Sequence, residues 1–331
     1  MNLKRKILIG LMLLQTSFLS AQDFHLTMYD AAPMFLNPAL TGVVDADWRV
    51  HGQYRTQWKA VNFKPYTTAL ISFDKPYKKW GFGGQIANFR AGLGNYNVAQ
   101  AVVSAAYTVN LDKKRFHNLS FGVQGGLSQK SVEYQLLTYN NQYVTTNGGG
   151  FDNSISSNEN FAGQSFVIPN LNAGAIYYFA KQQTLLNPFA GVSVFNLLTP
   201  KETYFNGTNK LPMRFYTHIG TRVNITEVLY VIPKVLVMHQ EKFNEMTLAG
   251  DIGYYLKKND MYLLGGIVYR AKDAFSLSIG ARLANITAKF AYDVNASSLT
   301  TATGGRGGFE LSLTYVHRKS DYQKVKICPR L

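Results

Sequence analysis

Apolar and polar residues alternate one by one along much of this chain, and the pattern recurs in many separate segments. Between Leu119 and Ser128, odd positions are apolar or glycine and even positions are polar or glycine. Segments 275–283 and 286–294 alternate in the same way, and 48–59 places Arg, His, Gln and Lys side chains on one face. A period of two residues is that of a β-strand with one apolar and one polar face. We therefore expect an all-β fold with about fourteen strands, near 48–59, 65–74, 80–90, 96–109, 117–129, 166–180, 185–195, 211–223, 228–239, 245–257, 260–270, 274–283, 285–294 and 307–318.

The connections between these segments sort by length. Every connection from an even to an odd strand is short, whereas the long connections 130–165, 196–210 and 295–306 all lead from an odd to an even strand. Transmembrane barrels of the outer membrane have short periplasmic turns and longer extracellular loops, and a soluble sandwich has no reason to sort its loops so. The pattern predicts a transmembrane antiparallel β-barrel of about 14 strands that crosses the outer membrane many times.

The composition agrees with strands that meet lipid and interfacial water. The chain has 21 Tyr, 21 Phe and 28 Gly, and only 16% of its residues are charged. After residue 21 no apolar run approaches the roughly 20 residues that a transmembrane helix needs. A closed barrel is the other structure that satisfies every backbone polar group inside a bilayer.

The N-terminus predicts export. Lys4, Arg5 and Lys6 precede an apolar stretch from Ile7 to Leu14, and small residues follow at Ser20 and Ala21. This order is typical of a cleaved signal peptide. We expect a signal peptide over 1–21, a periplasmic or plug segment over 22–47, a barrel over 48–318 and a periplasmic tail over 319–331, because an even number of strands that starts in the periplasm also ends there.

Several short motifs, in order along the chain, resemble one family. They are "FLNPALTG" (35–42), "YRTQW" (54–58), "PYTTALISFDKP", "YDVNASSL" (292–299), "GGFELSLTY" and the terminal "CPRL". Together they are similar to the PorP/SprF family, outer-membrane proteins associated with type IX secretion in Bacteroidota. Two departures are the terminal Leu331 where an aromatic residue is expected, and "FNLL" where a His is expected near residue 196.

The resemblance implies a function in protein secretion. Such proteins bind, anchor or assist the export of type IX-secreted surface proteins, such as gliding adhesins, with the C-terminal region of the cargo as the expected contact. A first alternative is a structural component of the secretion or gliding machinery, with residues 22–47 and the tail gripping periplasmic proteins. A second is a diffusion channel for small anions or hydrophobic solutes.

Charge on the inner face suggests where contact occurs. Seven basic side chains would point into the lumen, and three acidic ones, Asp251, Asp293 and Glu310, would share this face. They either form a salt-bridged interior that packs the barrel, or a basic interior that accepts an acidic or carboxylate-bearing peptide. The residues predicted to bind a partner in the lumen and at the outer rim are Arg49, Arg55, Gln57, Trp58, Arg214, Arg222, Arg282, Lys289 and Asp293, and Lys59 shares their face.

The two ends of the chain carry the remaining candidates. In "FLNPALTG", Asn37 and Pro38 break regular structure and Gly42 permits a positive φ, so this segment is either a plug that closes the lumen or a docking surface. The tail holds Cys328, Pro329 and Arg330, and the single cysteine allows no internal disulfide. The loop 130–165 is too polar and glycine-rich to fold alone, and is either flexible or ordered by a partner.

The sequence carries no sign of catalysis. The six histidines (25, 51, 117, 218, 239 and 317) lack metal-ligand spacing, and neither a GxSxG nor a Walker-type motif is present. We therefore expect a non-enzymatic protein without cofactor or metal. The net charge of +15 fits lipopolysaccharide phosphates better than nucleic acid, which an exported barrel would not meet.

Overall fold

The barrel is formed by fourteen antiparallel strands. The computed structural model describes residues 25–57, 64–181, 184–205, 207–297, 300 and 304–318. Its strands are β1 (Trp48–Gln57), β2 (Tyr66–Tyr77), β3 (Trp80–Ala91), β4 (Tyr96–Asn110), β5 (His117–Ser131), β6 (Tyr143–Val144), β7 (Gly150–Phe151), β8 (Ser165–Phe179), β9 (Leu186–Phe195), β10 (Arg214–Asn224), β11 (Leu229–Gln240), β12 (Phe243–Leu256), β13 (Met261–Arg270), β14 (Ala274–Leu283), β15 (Ile286–Asn295) and β16 (Arg306–His317). All except the short hairpin β6–β7 pair in chain order, and β16 closes the barrel on β1.

The predicted fold class and strand order are confirmed. Each of the fourteen predicted segments coincides with one barrel strand, and most bounds agree within three residues. The largest difference at an N-terminal bound is at β10, which begins at Arg214 rather than at residue 211. Pro212 lies just before this start, and proline cannot donate a ladder hydrogen bond, so the strand begins after it.

The outward face of the barrel is apolar. Side chains such as Ile71, Val103 and Ile279 are more than half exposed, which is the pattern of strands that contact lipid. Aromatic side chains mark both rims of this face. Tyr77, Trp80 and Tyr254 lie near one rim, and Tyr66, Tyr269, Phe275 and Phe309 near the other, as interfacial girdles do in membrane barrels.

The two ends of the barrel differ in their connections. At one end, which we call the short-turn end, lie the connections 78–79, 111–116, 180–185, 225–228, 257–260 and 284–285. At the other, the long-loop end, lie the three longest connections, 132–164, 196–213 and 296–305. This is the predicted asymmetry.

The segment before β1 lies inside the barrel. Its helices are the single α-helical turn α1 (Pro33–Leu36) and two 3-10 turns, at Tyr29–Ala31 and Pro38–Leu40. The His25 carbonyl accepts a hydrogen bond from Arg55 near the long-loop end, while Asp47 N donates to His317 O, 2.9 Å away, at the short-turn end. Residues 25–47, the plug segment, therefore run the length of the lumen. Within the described residues, no helix has the length and apolar character to cross a membrane.

Candidate functional site: a plugged lumen beneath interlocked loops

Asn37 fastens the middle of the plug segment to the barrel wall. Its Nδ2 donates to the carbonyls of Ala175 and Val192, each at 3.1 Å, and lies 3.2 Å from Nε2 of His218. Its Oδ1 accepts from Ala39 N at 2.9 Å and so caps the 3-10 turn that Pro38 begins. The side chain is fully buried. The Asn-Pro pair of "FLNPALTG" therefore joins a turn to two strands, out of reach of a partner.

Glycines in the wall make room for this contact. A Cβ at Gly174 would collide with the Asn37 side chain, and a Cβ at Gly122 would collide with the backbone of Pro38 and Ala39. A Cβ at Gly191 would collide with the His218 ring, which lies beside Asn37. These glycines lie on the inward faces of β8, β9 and β5. The wall thus carries a groove that matches the Asn-Pro-Ala turn.

Glu310 holds the upper end of the plug segment. Its carboxylate accepts from the backbone N–H groups of Thr27 and Met28, at 2.7 and 2.8 Å, and from the Gln53 amide. Arg55 Nε lies 3.4 Å from the same carboxylate. Glu310 and Arg55 are each 1% exposed, so this is a buried ion pair whose hydrogen bonds come largely from the plug backbone.

Asp293 extends this cluster, because a β-bulge in its partner strand sets it opposite two glycines. The β15–β16 register shifts between Tyr292 and Val294, so that Gly307 and Gly308 of β16 oppose the single residue Asp293. A Cβ at Gly307 would press on the Asp293 backbone, and bulges of this kind alter the aim of a side chain. Asp293 accepts from Arg55 and Ser276 at 2.6 Å each, from Thr27 Oγ1 at 2.9 Å, and from Arg270 at 3.5 Å. The "GG" of "GGFELSLTY" is thus part of an ion cluster. We call Arg55, Arg270, Asp293 and Glu310 the upper ion cluster.

A second ion cluster lies deeper in the lumen. Lys234 donates to Asp30 of the plug segment and to Asp251 of β12, and Lys289 lies 3.3 Å from Asp251. Both carboxylates and both ammonium groups are largely buried. Two lysines shared between two aspartates leave no net charge at this point of the wall.

A third contact holds the lower end. Gly42 has φ of +69° and donates its N–H to Asp74 at 2.7 Å. Asp74 also accepts two hydrogen bonds from Arg49, at 2.7 and 2.9 Å. The positive φ that the sequence predicted for Gly42 is present, and it turns the chain from the plug segment toward β1.

The remaining lumen arginines stack on aromatic rings. The guanidinium carbon of Arg222 lies 3.8 Å from the Tyr230 ring centroid, that of Arg282 lies 4.1 Å from Tyr262, and that of Arg214 lies 5.0 Å from Phe195. Planar guanidinium groups pack well on aromatic faces. Together with the ion pairs, these contacts favour the interpretation in which the basic lumen packs the barrel.

The outer loops are interlocked at the long-loop end. In the loop 132–164, Tyr134 stacks on Phe161 with centroids 4.2 Å apart, and Phe161 contacts Phe205 of the loop 196–213 at 4.7 Å. Ala162 N donates to Tyr204 O at 2.8 Å. Burial raises the pKa of the Tyr204 phenol and Glu202 raises it further, so the phenol stays protonated at neutral pH. The sequence predicts that the loop 130–165 is flexible or ordered by a partner, whereas in the structure it contains the hairpin β6–β7 and packs against the loop 196–213 of the same chain.

These loops leave apolar side chains at the surface. Leu136, Tyr143, Phe151 and Phe205 are each between 42% and 52% exposed, and Leu93 of the 92–95 turn is 48% exposed. Aromatic and aliphatic side chains on a polar rim are the usual anchors of a protein interface. We call Leu93, Leu136, Tyr143, Phe151 and Phe205 the outer apolar patch.

The predicted partner-binding residues separate into three groups. Arg49, Arg55, Arg214, Arg222, Arg282, Lys289 and Asp293 all lie on the inner face and contact the chain's own residues. Gln57 ends β1 at the long-loop end. The signal peptide, Trp58, Lys59 and the tail with Cys328, Pro329 and Arg330 lie outside the described residues.

Sequence reasoning missed Lys234, Asp30, Asp74 and Arg270. Lys234 lies two or four residues from Tyr230, Ile232 and Leu236, so its side chain is on the same face of β11, which points inward onto the plug segment. Because β11 is apolar on both faces, it offered no polar face on which Lys234 would stand out. Among the described residues, no group of three His, Cys, Asp or Glu side chains is arranged to hold a metal ion.

This arrangement defines a membrane β-barrel of the outer-membrane type with an internal plug. The chain belongs to the PorP/SprF family, described as type IX secretion system membrane proteins, whose family model matches residues 18–315. No curated protein sequence matches the chain.

Solved structures support the fold. The chain is similar to a TodX mutant described as a monoaromatic hydrocarbon channel, with a TM-score of 0.52, 10% identity, and coverage of 87% of this chain and 94% of that one. It is also similar to the Ralstonia pickettii toluene transporter TbuX, with a TM-score of 0.50, 11% identity, and coverage of 87% and 93%. At this identity the likeness concerns the barrel alone. The family and these neighbours are secretion or transport proteins rather than enzymes.

Proposed function

We propose that this barrel binds a surface protein exported by the type IX system, such as a gliding adhesin, and retains it at the cell surface or assists its export. The long-loop end faces outward and the short-turn end faces the periplasm, as in other outer-membrane barrels. The C-terminal region of the exported protein is the part we expect to bind. The protein carries no catalytic step.

One observation carries the proposal beyond the family assignment. The lumen is occupied by the plug segment, which the upper ion cluster, Lys234 and Asn37 hold in place, while the outer loops present an ordered apolar surface. A barrel built to pass solutes needs a water-filled path, whereas a barrel built to hold a protein needs a firm outer face. The contacts of the plug segment and of the outer loops fit a barrel that holds a protein.

We place the contact with the partner on the outer loops rather than in the lumen. Arg55 and Asp293 are almost fully buried beneath the plug segment, so a partner cannot reach them while the plug is seated. The outer apolar patch is reachable at once. We therefore assign partner contact to the patch and a packing role to the lumen arginines.

The experiment is purification from mild-detergent outer membranes through a tag inserted after Gly304, where a side chain would meet open space and which lies outside the outer apolar patch. The test variant is L93S/L136S/F151S. The matched control is L111S/L185S/I225S, which removes three equally exposed aliphatic side chains at the short-turn end. Quantitative mass spectrometry measures the co-purified proteins.

We expect a large exported protein at near-stoichiometric yield from the wild type and the control. The test variant should recover about tenfold less, which corresponds to about 1.4 kcal/mol of binding free energy. Recovery of periplasmic proteins alone would favour a machinery component. A barrel that purifies bare and conducts ions would favour a diffusion channel.

A further inference from the structure

A cavity of about 1060 Å³ opens at the short-turn end, away from both ion clusters. Residues 78–79, 114–116 and 180–181, from three short turns, form its walls, and the plug residues from Thr41 to Val44 form its inner side. Its volume is at the upper end of the range of about 300–1,000 Å³ found for ligand pockets. We call this cavity the basic mouth.

The charge of the basic mouth has one sign. Its lining includes Lys78, Lys79, Lys114, Arg115 and Lys181, and among the described residues no carboxylate lines it. Asp112 lies in the same turn, but its carboxylate accepts the backbone N–H groups of Lys114 and His117, at 3.1 and 2.8 Å. Elsewhere in the lumen, Lys234 and Arg55 each face carboxylates. A concave site lined by one sign of charge concentrates ions of the opposite sign.

The deeper surface of the basic mouth is partly apolar. Val43 and Val44 of the plug segment, Tyr178 of β8 and Phe116 of the neighbouring turn line it together with Thr108. Lys181 lies 5.6 Å from the Phe116 ring. A cationic rim above an apolar floor suits a ligand that has carboxylates next to an apolar side chain.

We propose that the basic mouth binds an acidic, apolar-containing segment of a periplasmic polypeptide. This site lies at the opposite end from the outer apolar patch and does not depend on it. The bound segment would place its carboxylates near the five basic side chains and an apolar side chain against Val43 and Val44. Electrostatic complementarity of this kind raises the association rate and selects the partner by charge.

Two other occupants fit less well. The chain's own tail follows Arg318, which lies at this end. Residues 318–331 contain five basic residues and one acidic residue, so their charge does not complement the basic mouth. A lipid phosphate would have to leave the bilayer, because Thr108 and Tyr178 face the lumen. Tyr107, next to Thr108, lies on the opposite, outward face of β4.

The test measures binding of a defined probe to the full-length barrel in lipid nanodiscs. The probe is a fluorescein-labelled peptide of Glu residues with interspersed Phe, and its partner is the same peptide with Gln in place of Glu. Fluorescence anisotropy is read for the wild type, for K78Q/K79Q/K114Q/R115Q/K181Q, and for K257Q/K258Q. The last variant removes two lysines from a short turn outside the cavity.

We expect the acidic peptide to bind the wild type and K257Q/K258Q alike, and the five-site variant at least about tenfold more weakly. Binding should weaken with added salt, since the Debye length falls from about 10 Å at 0.1 M to about 3 Å at 1 M. Thermal unfolding should match across the variants, because the changed side chains are exposed.

Three outcomes would overturn the proposal. They are equal binding by the five-site variant, equal binding of the Gln peptide, and displacement of the peptide by anionic phospholipid vesicles at lower anion concentration than by free Glu peptide. The last would assign the site to lipid headgroups. None of them bears on the outer apolar patch, so the two proposals fail separately.

Discussion

At the scale of single residues, hydrogen bonds from buried side chains hold the plug segment in the lumen. Asn37 shows this clearly, because its amide joins the plug turn to β8 and β9 in a fully buried place. Buried carbonyl groups left without a donor cost free energy. The motif "FLNPALTG" is therefore explained by packing, without any contact to a partner.

Replacing Asn37 with alanine should lower the free energy of unfolding by about 1–3 kcal/mol, because the Ala175 and Val192 carbonyls lose a donor. Urea titration of the barrel in micelles measures the change. Asn110→Ala is the control, since Asn110 donates only to the Asn118 side chain, at 2.7 Å, and is only partly buried. Equal losses in the two variants would show that Asn37 does not fasten the plug.

The upper ion cluster is the second prediction at this scale. Arg55→Met leaves Glu310 and Asp293 buried with fewer partners and should cost about 3–5 kcal/mol. Adding Glu310→Gln to Arg55→Met should recover part of the loss, and the double-mutant cycle should give a coupling of about 0.5–3 kcal/mol. The exposed pair Lys257–Glu227, at 3.8 Å, should show little coupling. Additive effects of Arg55 and Glu310 would contradict the cluster.

At the scale of elements, inward glycines of the strands receive the plug segment. Gly122 of β5 touches the Pro38 backbone, whereas Gly125, three residues on, faces outward with its nearest atom, Asn170 O, 3.9 Å from an added Cβ. Both glycines are in β5, but only Gly122 contacts the plug segment. Comparing alanine at the two positions therefore distinguishes the loss of plug contact from the effect of alanine on the strand itself.

Gly122→Ala should destabilise the barrel by about 1–3 kcal/mol, the usual cost of overfilling a packed interior. Gly125→Ala should have little effect or stabilise slightly, because glycine weakens a strand interior. Chemical unfolding of both variants measures the difference. A neutral Gly122→Ala would mean that the plug turn can shift away from β5 without cost.

Most strands were predictable because they carry their own period-two pattern. The two ends of the barrel were predictable because the long loops all lie on one side. Pro233 lies inside β11, where a proline removes a ladder hydrogen bond. It faces outward, and the pairing with β10 is interrupted there and resumes in the same register, with no inserted residue. The ion clusters were not predictable. Whether Arg55 meets Glu310 depends on how β16 closes on β1, and no local pattern sets that closure. The sequence offered a plug only as one of two interpretations of "FLNPALTG", because no local pattern shows that residues 25–47 run the length of the lumen.

At the scale of the whole molecule, the plug segment and the outer loops form two layers. The plug segment crosses the lumen, and the loops 132–164 and 196–213 pack against each other at the long-loop end. The first layer is held by buried ion pairs and hydrogen bonds, and the second by aromatic contacts within and between the loops and by a 2.5 Å ion pair between Lys130 and Glu202. Each layer is therefore open to a separate test.

Removing residues 25–40 should convert the barrel into an ion channel if the plug is the closing layer. The strands keep their ladder hydrogen bonds, and the charges of both ion clusters would be hydrated rather than left unpaired. The exposed lumen would hold more cations than carboxylates, so the pore should prefer anions. The basic residues that would line it are Arg49, Arg55, Lys130, Arg214, Arg222, Lys234, Arg270, Arg282 and Lys289, and the acidic ones are Asp74, Glu245, Asp251, Asp293 and Glu310.

Planar-bilayer recordings compare the deletion with the wild type and with L111S/L185S/I225S as a control for altered insertion. We expect closed wild-type and control barrels and an open, anion-selective deletion variant. A wild type that conducts as well as the deletion would mean that solutes pass around the seated plug, and the diffusion-channel alternative would then replace partner anchoring. A deletion variant that stays closed would assign closure to the loops, and the outer apolar patch would then lie on the gate itself.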